Sequence, residues 1–390
     1  MRDHVDVDRL VELTSALVAV DTRNPPGNER AIEGVVRDAL DPFGPRWQEV
    51  EPAPDRLSLV ATVPHPDGPG PRPTLVINGH LDVVPVKADQ WSTDPFAPTL
   101  RDGRLYGRGT ADMKGGVAAA IHALDVLARA GRAPAWDVVF HLVADEEVGG
   151  ALGTRALLDA GLVRGDACLV PEPTGLAVCV AERGLLQAEV TVHGVPGHGS
   201  RPRDAVSAIE HAASVVLALH AADFGGPDHP LLGRPSANVG TIRGGSGVNT
   251  VAEACRLGVD RRVLPGATAE STVGELRARI DATGVEGLRY DLDVLVFGEA
   301  SELRADHPWA AQVRAAFAAA TGAVPATIGM SFTTDARFVR NQAGIPAVVC
   351  GPGEVAQAHT TDEFVAVGQL ADAAAAFAEL FATPPRFVET

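Results

Sequence analysis

The sequence has few cysteines, few lysines and no long hydrophobic run, and each shortage excludes a class of protein. Its four cysteines are scattered along 390 residues without a CxxC pair, so neither a disulfide framework nor a cysteine zinc knot is expected. Acidic side chains outnumber basic ones by 50 to 33, and the formal net charge is -17. This balance leaves no basic field for nucleic acid or for an anionic membrane surface.

No segment offers the ~20 uninterrupted apolar residues of a membrane span, and the charged start MRDHVDVDRL lacks the apolar core of a secretory signal. A cytoplasmic location is therefore expected, in agreement with the scattered cysteines. Hydrophobic residues make up 46% of the chain and charged residues 21%, as in ordinary folded proteins. The length exceeds that of a typical single hydrophobic core, which favours two domains.

Strand and helix patterns alternate in the first 183 residues. Short β-rich runs lead to His80 and to the acidic triplet DEE at 145–147. An apolar helical repeat over 115–130 lies between them. A further strand over 167–170 leads to Glu172. This alternation predicts an α/β domain with a mostly parallel sheet.

The pattern changes near Gly184. The segments LLQAEVTVHG, SANVGTIRGG and EACRLGVDRRV alternate in hydrophobicity like half-exposed strands, and helices are predicted over 204–221 and 268–282. Strands and helices in this order predict a compact α+β sandwich.

The first pattern returns near the end of the chain, with a predicted helix over 308–320 and a strand over 345–349. The expected architecture is therefore a discontinuous catalytic α/β domain, built from residues 1–183 and 295–390. Residues 184–294 are expected to form an inserted α+β lid or dimerisation domain.

Chemically capable side chains follow four of the predicted strands by one or a few residues. They are His80, the pair Glu146 and Glu147, Glu172 and His359. Ligands bind outside the carboxyl ends of the strands in open α/β sheets. A lone strand-terminal histidine or an acidic turn is usually structural. Two imidazoles together with several carboxylates instead indicate zinc or a related divalent metal, and a bridging carboxylate can hold two ions ~3.5–4 Å apart.

Two local spacings suggest which residues bind metal, which support a ligand and which act as a general base. His80 and Asp82 share one face of an extended backbone, so Asp82 can accept the proton on the ring nitrogen that faces away from the metal. Glu146 and Glu147 are adjacent and point apart. One of them can therefore bind metal while the other faces a water molecule as a general base.

Several motifs together resemble a known family. In order and spacing they are NGHLDVVP, WSTDPFAPTLRDGRLYGRGTADMKGG, ADEEVGG, PEPTG, GHGSRP and GPGEVAQAHTTDEF. This set resembles the metallopeptidase family that contains acetylornithine deacetylase, succinyl-diaminopimelate desuccinylase, aminoacylase and carboxypeptidase G. The likeness covers nearly the whole chain, and an ordered set of this kind is specific where single motifs are weak.

The resemblance implies two zinc ions, with cobalt as a substitute. The implied ligands are His80, Asp112, Glu147, Glu172 and His359. Asp112 would bridge the ions, with His80 and Glu172 completing one shell and Glu147 and His359 the other. Glu146 would be the general base of an amide hydrolysis. The bond that follows Asp112 would be a non-proline cis peptide.

The inserted domain contains further residues that match the family. His198 resembles a lid histidine that, in dimeric relatives, reaches a partner subunit's site and stabilises the tetrahedral oxyanion. Asn249 and Arg262 resemble polar groups that bind the substrate carboxylate. The alternatives are turn residues for His198 and Asn249 and a surface ion pair for Arg262. A homodimer formed through this domain is also implied.

The resemblance favours removal of an acetyl or succinyl group from an amino acid or diamino acid. EPTG and GPGEVAQAHTTDEF look closest to the acetylornithine deacetylase branch, whereas TTDARF looks closer to the desuccinylase branch. A dipeptidase or carboxypeptidase is the nearest alternative. A non-catalytic binding protein of the same fold would be expected to have lost ligands, and HGSRP lacks the pattern of a serine nucleophile. His122 and His141 are interpreted as packing residues, and Asp335 as a contributor to the substrate pocket.

Overall fold

The structure is a computed structural model that describes residues 1–68, 70 and 72–387. The chain divides into two compact units. The first comprises the described residues of Met1–Val180, Leu303–Ile328 and Thr334–Thr390, and the second comprises Ala181–Glu302 and Gly329–Thr333. The domain boundaries expected from the sequence stay a prediction.

Helices and strands alternate along much of the described chain. The helices are α1 (Val7–Val18), α2 (Glu33–Leu40), α3 (Lys114–Arg129), α4 (Thr154–Asp159), α5 (Ala208–Leu219), α6 (Ala269–Asp281), α7 (Pro308–Thr321), α8 (Ala336–Asn341) and α9 (Val367–Ala382). The strands are β1 (Arg46–Val50), β2 (Ser58–Val63), β3 (Thr74–His80), β4 (Thr99–Arg101), β5 (Arg104–Tyr106), β6 (Asp137–Val143), β7 (Ala167–Pro173), β8 (Val178–Glu182), β9 (Gly184–His193), β10 (Gly197–His198), β11 (Ser236–Gly244), β12 (Thr250–Val251), β13 (Ala254–Val263), β14 (Arg289–Gly298), β15 (Ser301–Glu302), β16 (Thr327–Met330), β17 (Ala347–Gly351) and β18 (Phe364–Ala366).

A mixed sheet forms the centre of the first unit, with neighbouring strands in the order β1-β2-β6-β3-β7-β17-β8. Strand β3 pairs in parallel with β6 and with β7, and β17 pairs in parallel with β7. The pairs β1–β2, β2–β6 and β8–β17 are antiparallel. The predicted α/β class is confirmed, with parallel pairing at the centre of the sheet and antiparallel pairing on both sides of it.

The central strands are buried along nearly their whole length. Every residue of β7 is buried, and in β3 and β6 only the first residue is partly exposed. This is the pattern of a sheet covered by helices on both faces, and it explains why these strands appear in the sequence as continuous apolar runs. Helix α3 packs against α9 and α1, and α7 packs against α9.

Helix α3 approaches strand β7 unusually closely at its first turn. A Cβ atom on Gly116 would lie 1.9 Å from the main-chain oxygen of Pro171, so only glycine fits there. Because Pro171 directly precedes Glu172, this close contact brings the start of α3 beside the end of β7.

The second unit is an antiparallel sheet with strand order β11-β13-β9-β14. Side chains of β9 alternate between buried and more exposed positions, as the sequence pattern predicted. The buried face of the sheet packs against α5 and α6 in one core, which includes Val190 of β9, Leu257 of β13, Val215 of α5 and Leu276 of α6. Ser207 caps α5 and Thr268 caps α6. Among the helices of the described residues, none combines the length and the apolar character that crossing a membrane requires.

Candidate metal centre

Four adjacent parallel strands bring the predicted ligands to one edge of the sheet. His80 is the last residue of β3, and Glu172 is the last but one of β7. Glu146 and Glu147 begin a short 3₁₀ helix directly after β6, and His359 lies in the loop that follows β17. Since β6, β3, β7 and β17 are neighbours and run in parallel, their carboxyl ends meet at the same edge.

Asp112 reaches this edge from the beginning of helix α3 and not from a strand. The peptide bond between Asp112 and Met113 is cis, as the family resemblance implied. The main-chain N–H of Asp112 donates to Glu363 Oε1 at 3.1 Å, and the N–H of Ala111 donates to the same oxygen at 2.8 Å. These contacts and the packing of α3 on β7 hold the main chain at Asp112.

The two carboxylate oxygens of Asp112 face two different imidazoles. Asp112 Oδ1 lies 3.0 Å from His80 Nε2, and Asp112 Oδ2 lies 3.3 Å from His359 Nε2. Glu172 Oε1 is 3.5 Å from His80 Nε2, and Glu147 Oε2 is 3.0 Å from His359 Nε2. The five predicted ligands thus form two clusters that share Asp112, and in each cluster the donor atoms lie within 4.8 Å of one another. This is the arrangement expected for a carboxylate that bridges two metal ions.

The donor set fits divalent cations. Glu147 Oε1 is buried and has no hydrogen-bond partner among the described residues, although a buried carboxylate oxygen is costly to leave unpaired. In the metal-free protein, burial and the charge of Asp112 raise the pKa of Glu172 to about 8 and that of Glu147 to about 7. Hydrogen bonds to Asp112 and Glu147 raise the pKa of His359 to about 10. Burial and the crowding of carboxylates at this site thus disfavour the charged forms of Glu147 and Glu172 when no metal is present.

Glu146 lies beside the clusters but belongs to neither of them. Burial raises the pKa of Glu146 well above its usual value, and the neighbouring charges of Glu172 and Asp335 act in the same direction. Glu147 is the member of the pair that joins Asp112 and His359. The assignment of Glu146 as base and Glu147 as ligand stays a prediction, and the geometry provides a separate position for each role.

Asp82 contacts both the His80 ring and the loop that carries the acidic pair. The ring nitrogen His80 Nδ1 lies 2.9 Å from the main-chain oxygen of Asp82, whereas the nearer carboxylate oxygen is 3.5 Å away. The Asp82 carboxylate instead accepts the main-chain N–H groups of Glu146 and Glu147, both at 3.2 Å, and the Asn24 side-chain amide at 2.9 Å. The main-chain oxygen of Asp82 thus makes the contact with the His80 ring, while the Asp82 carboxylate binds the loop that carries the acidic pair.

The three predicted residues of the inserted segment lie in the second unit. His198 in β10 pairs with Thr250 in β12, and the main-chain oxygen of Asn249 accepts the N–H of Gly199 at 2.8 Å. His198 and Asn249 are thus close together in one small ribbon, and both are exposed. Arg262 in β13 donates from Nε to Asp260 at 2.8 Å. Their catalytic and substrate-binding roles stay predictions.

Sequence reasoning missed a buried polar group behind the acidic pair. It consists of Asn24, Glu29, Arg56 and Asp145, all of which are nearly inaccessible to solvent. Asp145 has a φ of 73°, a left-handed conformation that aspartate adopts more readily than most residues. Two features of the sequence could have pointed to this group. One is the turn-forming segment NPPG, which begins with Asn24, and the other is Asp145, the first acidic residue of the triplet DEE.

The residues that the sequence assigned to packing are buried as expected. His122 lies in α3 and His141 in β6, and each is at most 1% exposed. Neither ring nitrogen of His141 has a hydrogen-bond partner among the described residues. Asp335 is also buried, and its charge acts on Glu146. A role of Asp335 in the substrate pocket stays a prediction.

The mixed α/β sheet and the two clusters that share an aspartate are the features of a metal-dependent hydrolase. Residues 76–383 match the sequence model of "Peptidase family M20/M25/M40". Because this match covers most of the chain, the protein belongs to peptidase family M20/M25/M40. It is an enzyme of the amide hydrolase class, and the family resemblance drawn from its motifs is confirmed.

Known relatives extend along nearly the whole chain. Succinyl-diaminopimelate desuccinylase from Delftia acidovorans is 31% identical over 375 residues, which cover 93% of this chain and 95% of that protein. Acetylornithine deacetylase from Myxococcus xanthus is 37% identical over 329 residues, or 81% of each chain. The crystal structure of aminopeptidase PepT from Bacillus cereus has a TM-score of 0.82 at 23% identity and covers 97% of this chain and 99% of its own. That structure supports the fold.

Proposed function

We propose that this enzyme is a di-zinc amidohydrolase that removes an N-acetyl or N-succinyl group from an amino acid or diamino acid. The observation that carries the proposal is the position of Asp112, whose two oxygens face His80 and His359 separately. The names of the two relatives, a desuccinylase and a deacetylase, support the substrate class. His80 and Glu172 would hold one ion and Glu147 and His359 the other, with cobalt as an alternative metal.

The side chains divide the hydrolysis among themselves. When bound, the metal pair would lower the pKa of a water molecule and polarise the amide carbonyl. Glu146 takes a proton from the attacking water and later donates it to the leaving amine. The bonds from Asp82 to the N–H groups of Glu146 and Glu147 fix the backbone of the base.

The second unit would contribute to substrate binding. We propose that His198 stabilises the oxyanion and that Asn249 and Arg262 bind the substrate carboxylate. For Arg262 this requires exchanging its bond to Asp260 for a bond to the substrate. A homodimer through this unit and a cytoplasmic location are part of the same proposal, and sedimentation measurements of the purified protein test the dimer.

A substrate panel tests the activity. The zinc-loaded protein would be assayed with N-acetylornithine, N-succinyl-diaminopimelate, N-formyl amino acids and dipeptides, with and without thorough chelation. We expect release of acetate or succinate that stops on chelation and returns with zinc. Activity that survives complete metal removal contradicts the metal mechanism. Preferential cleavage of dipeptides contradicts the substrate class and favours a peptidase.

A further inference from the structure

A buried arginine lies behind the acidic pair, outside both metal-ligand clusters. Arg56 is 7% exposed and just precedes strand β2. Its Nε and Nη2 atoms donate to the two carboxylate oxygens of Glu29, each at 2.8 Å. Nη2 also donates to Asp145 Oδ1 at 2.8 Å, and Nη1 donates to the main-chain oxygen of Pro26 at 3.1 Å. All three nitrogen atoms of the guanidinium group therefore donate hydrogen bonds.

The first connection from Arg56 to the catalytic loop passes through Asp145. Asp145 directly precedes Glu146 and takes a left-handed φ of 73°. While Oδ1 of Asp145 accepts from Arg56, Oδ2 accepts the N–H of Leu152 at 2.9 Å. One carboxylate thus fixes both ends of the short segment that carries the acidic pair.

The second connection passes through Asn24 and Asp82. Arg56 Nη1 lies 3.4 Å from Asn24 Oδ1, and Asn24 Nδ2 donates to Asp82 Oδ2 at 2.9 Å. The Asp82 carboxylate in turn accepts the N–H groups of Glu146 and Glu147. The main-chain nitrogens of the proposed base and of its neighbouring ligand are therefore attached to the same network.

The buried carboxylates around Arg56 favour a positive charge at this position. Glu29, Asp82 and Asp145 are at most 4% exposed, and Arg56 forms ion pairs with two of these three carboxylates. Buried carboxylates are stable only when they are paired and hydrogen-bonded. Gly27 lies directly against the guanidinium, because a Cβ atom on Gly27 would lie 2.3 Å from the guanidinium carbon of Arg56.

We propose that Arg56 is a positioning residue for the hydrolysis, which sets the direction of Glu146 and Glu147 through Asp145 and through Asn24 and Asp82. The proposal rests on the proposed function in taking Glu146 as the base. A lysine at position 56 would keep the positive charge but cannot donate to Glu29 and Asp145 in the same fork geometry. The substitution Arg56→Lys therefore separates the geometric role from the charge.

The matched control is Arg30→Lys. Arg30 is also an arginine that donates two bonds to one carboxylate, that of Glu51, and a third bond to Glu33. It is partly exposed, and its side chain has no bond to the catalytic loop. For Arg56→Lys we expect kcat to fall by ~10–100-fold with KM changed less than about twofold, since displaced supporting residues cost about this much. Arg30→Lys should match the wild type in both constants.

A second measurement does not depend on activity. Hydrogen exchange of the metal-free proteins reports on the Glu146 and Glu147 amides, which donate to Asp82. We expect these amides to exchange at least about tenfold faster in Arg56→Lys, while amides of the central strands keep their protection. If Arg56→Lys does not fold, Glu29→Gln takes its place, because it removes one of the carboxylates that orient Arg56 and should produce the same changes.

The two proposals fail in different ways. A wild type without metal-dependent amide hydrolysis overturns the proposed function, but the exchange of the Glu146 and Glu147 amides still reports on Arg56. Unchanged exchange together with unchanged kcat in a folded Arg56→Lys protein overturns the positioning role. A fall in kcat that only follows the folded fraction, measured by circular dichroism, overturns it as well. A fall in kcat at constant KM and constant folded fraction supports it.

Discussion

The burial of His141 makes the stability of the protein depend on pH, and the size of this effect follows from the structure. It lies in the middle of β6, is fully buried, and neither of its ring nitrogens has a hydrogen-bond partner among the described residues. Burial lowers the pKa of His141 to about 4, whereas histidine in an unfolded chain has a pKa near ~6.5. Above pH 6.5 the ring is neutral in both states, so its titration does not affect stability there.

The sign of the pH dependence follows from linkage. Below pH ~6.5 the unfolded chain binds a proton at His141 and the folded protein does not, so the free energy of unfolding falls as pH falls. The pKa of His141 falls from ~6.5 in the unfolded chain to about 4 in the folded protein, which corresponds to a maximum loss of ~3 kcal/mol in the free energy of unfolding. About 2 kcal/mol of this should already be lost at pH 5. The substitution His141→Leu removes the titration while nearly preserving side-chain volume.

The assay compares urea unfolding of the wild type and His141→Leu at pH 8 and pH 5, both without metal. On going from pH 8 to pH 5, the free energy of unfolding should fall by about 2 kcal/mol less in His141→Leu than in the wild type. Replacing the exposed His4 by leucine measures the background pH dependence. A stability difference between wild type and His141→Leu that is the same at both pH values would refute the reasoning.

Three further predictions concern the candidate centre. Glu146→Gln should retain two metal equivalents by elemental analysis, and its kcat should fall by ~10²–10⁴-fold. Glu147→Gln should instead lose metal. The opposite result would mean that Glu146 is the ligand and Glu147 the base. Gly116→Ala should lower the melting temperature because its Cβ would meet the main chain of β7; Gly34→Ala, in an open helical position, should not. Asp82→Asn should reduce kcat by ~10–100-fold, because an amide cannot accept both loop N–H groups through two oxygens; wild-type kcat would contradict this.

Much of the centre could be predicted from the sequence because strand ends have a simple signature. His80 and Glu172 each fall at the end of a continuous apolar run, and Glu147 follows such a run closely. Runs of this kind indicate strands buried on both faces, and parallel strands direct their carboxyl ends to one edge. The predicted strand over 345–349 likewise precedes His359. Strand ends therefore identify four of the five ligands, all except Asp112, as candidates for one site.

The supporting contacts could not be predicted in the same way. Arg56 donates to Asp145, which is 89 residues further along the chain, and Asn24 donates to Asp82 at a separation of 58 residues. Such bonds depend on how loops from different strands pack together, and no local pattern encodes that packing. The Asp82 carboxylate is an example, because the spacing to His80 was correct but the loop N–H groups compete for its oxygens.

The bridging residue shows why strand ends alone do not make this centre. Strands β6 and β7 both flank β3, so their ends are separated by two strand spacings, or about 10 Å. The carboxylates at the ends of these two strands contact one imidazole each: Glu172 Oε1 lies 3.5 Å from His80 Nε2, and Glu147 Oε2 lies 3.0 Å from His359 Nε2. Asp112 reaches both, because α3 begins against β7 through the close contact at Gly116. The position of the bridge is therefore set by helix packing, which explains why only the family resemblance assigned it from the sequence.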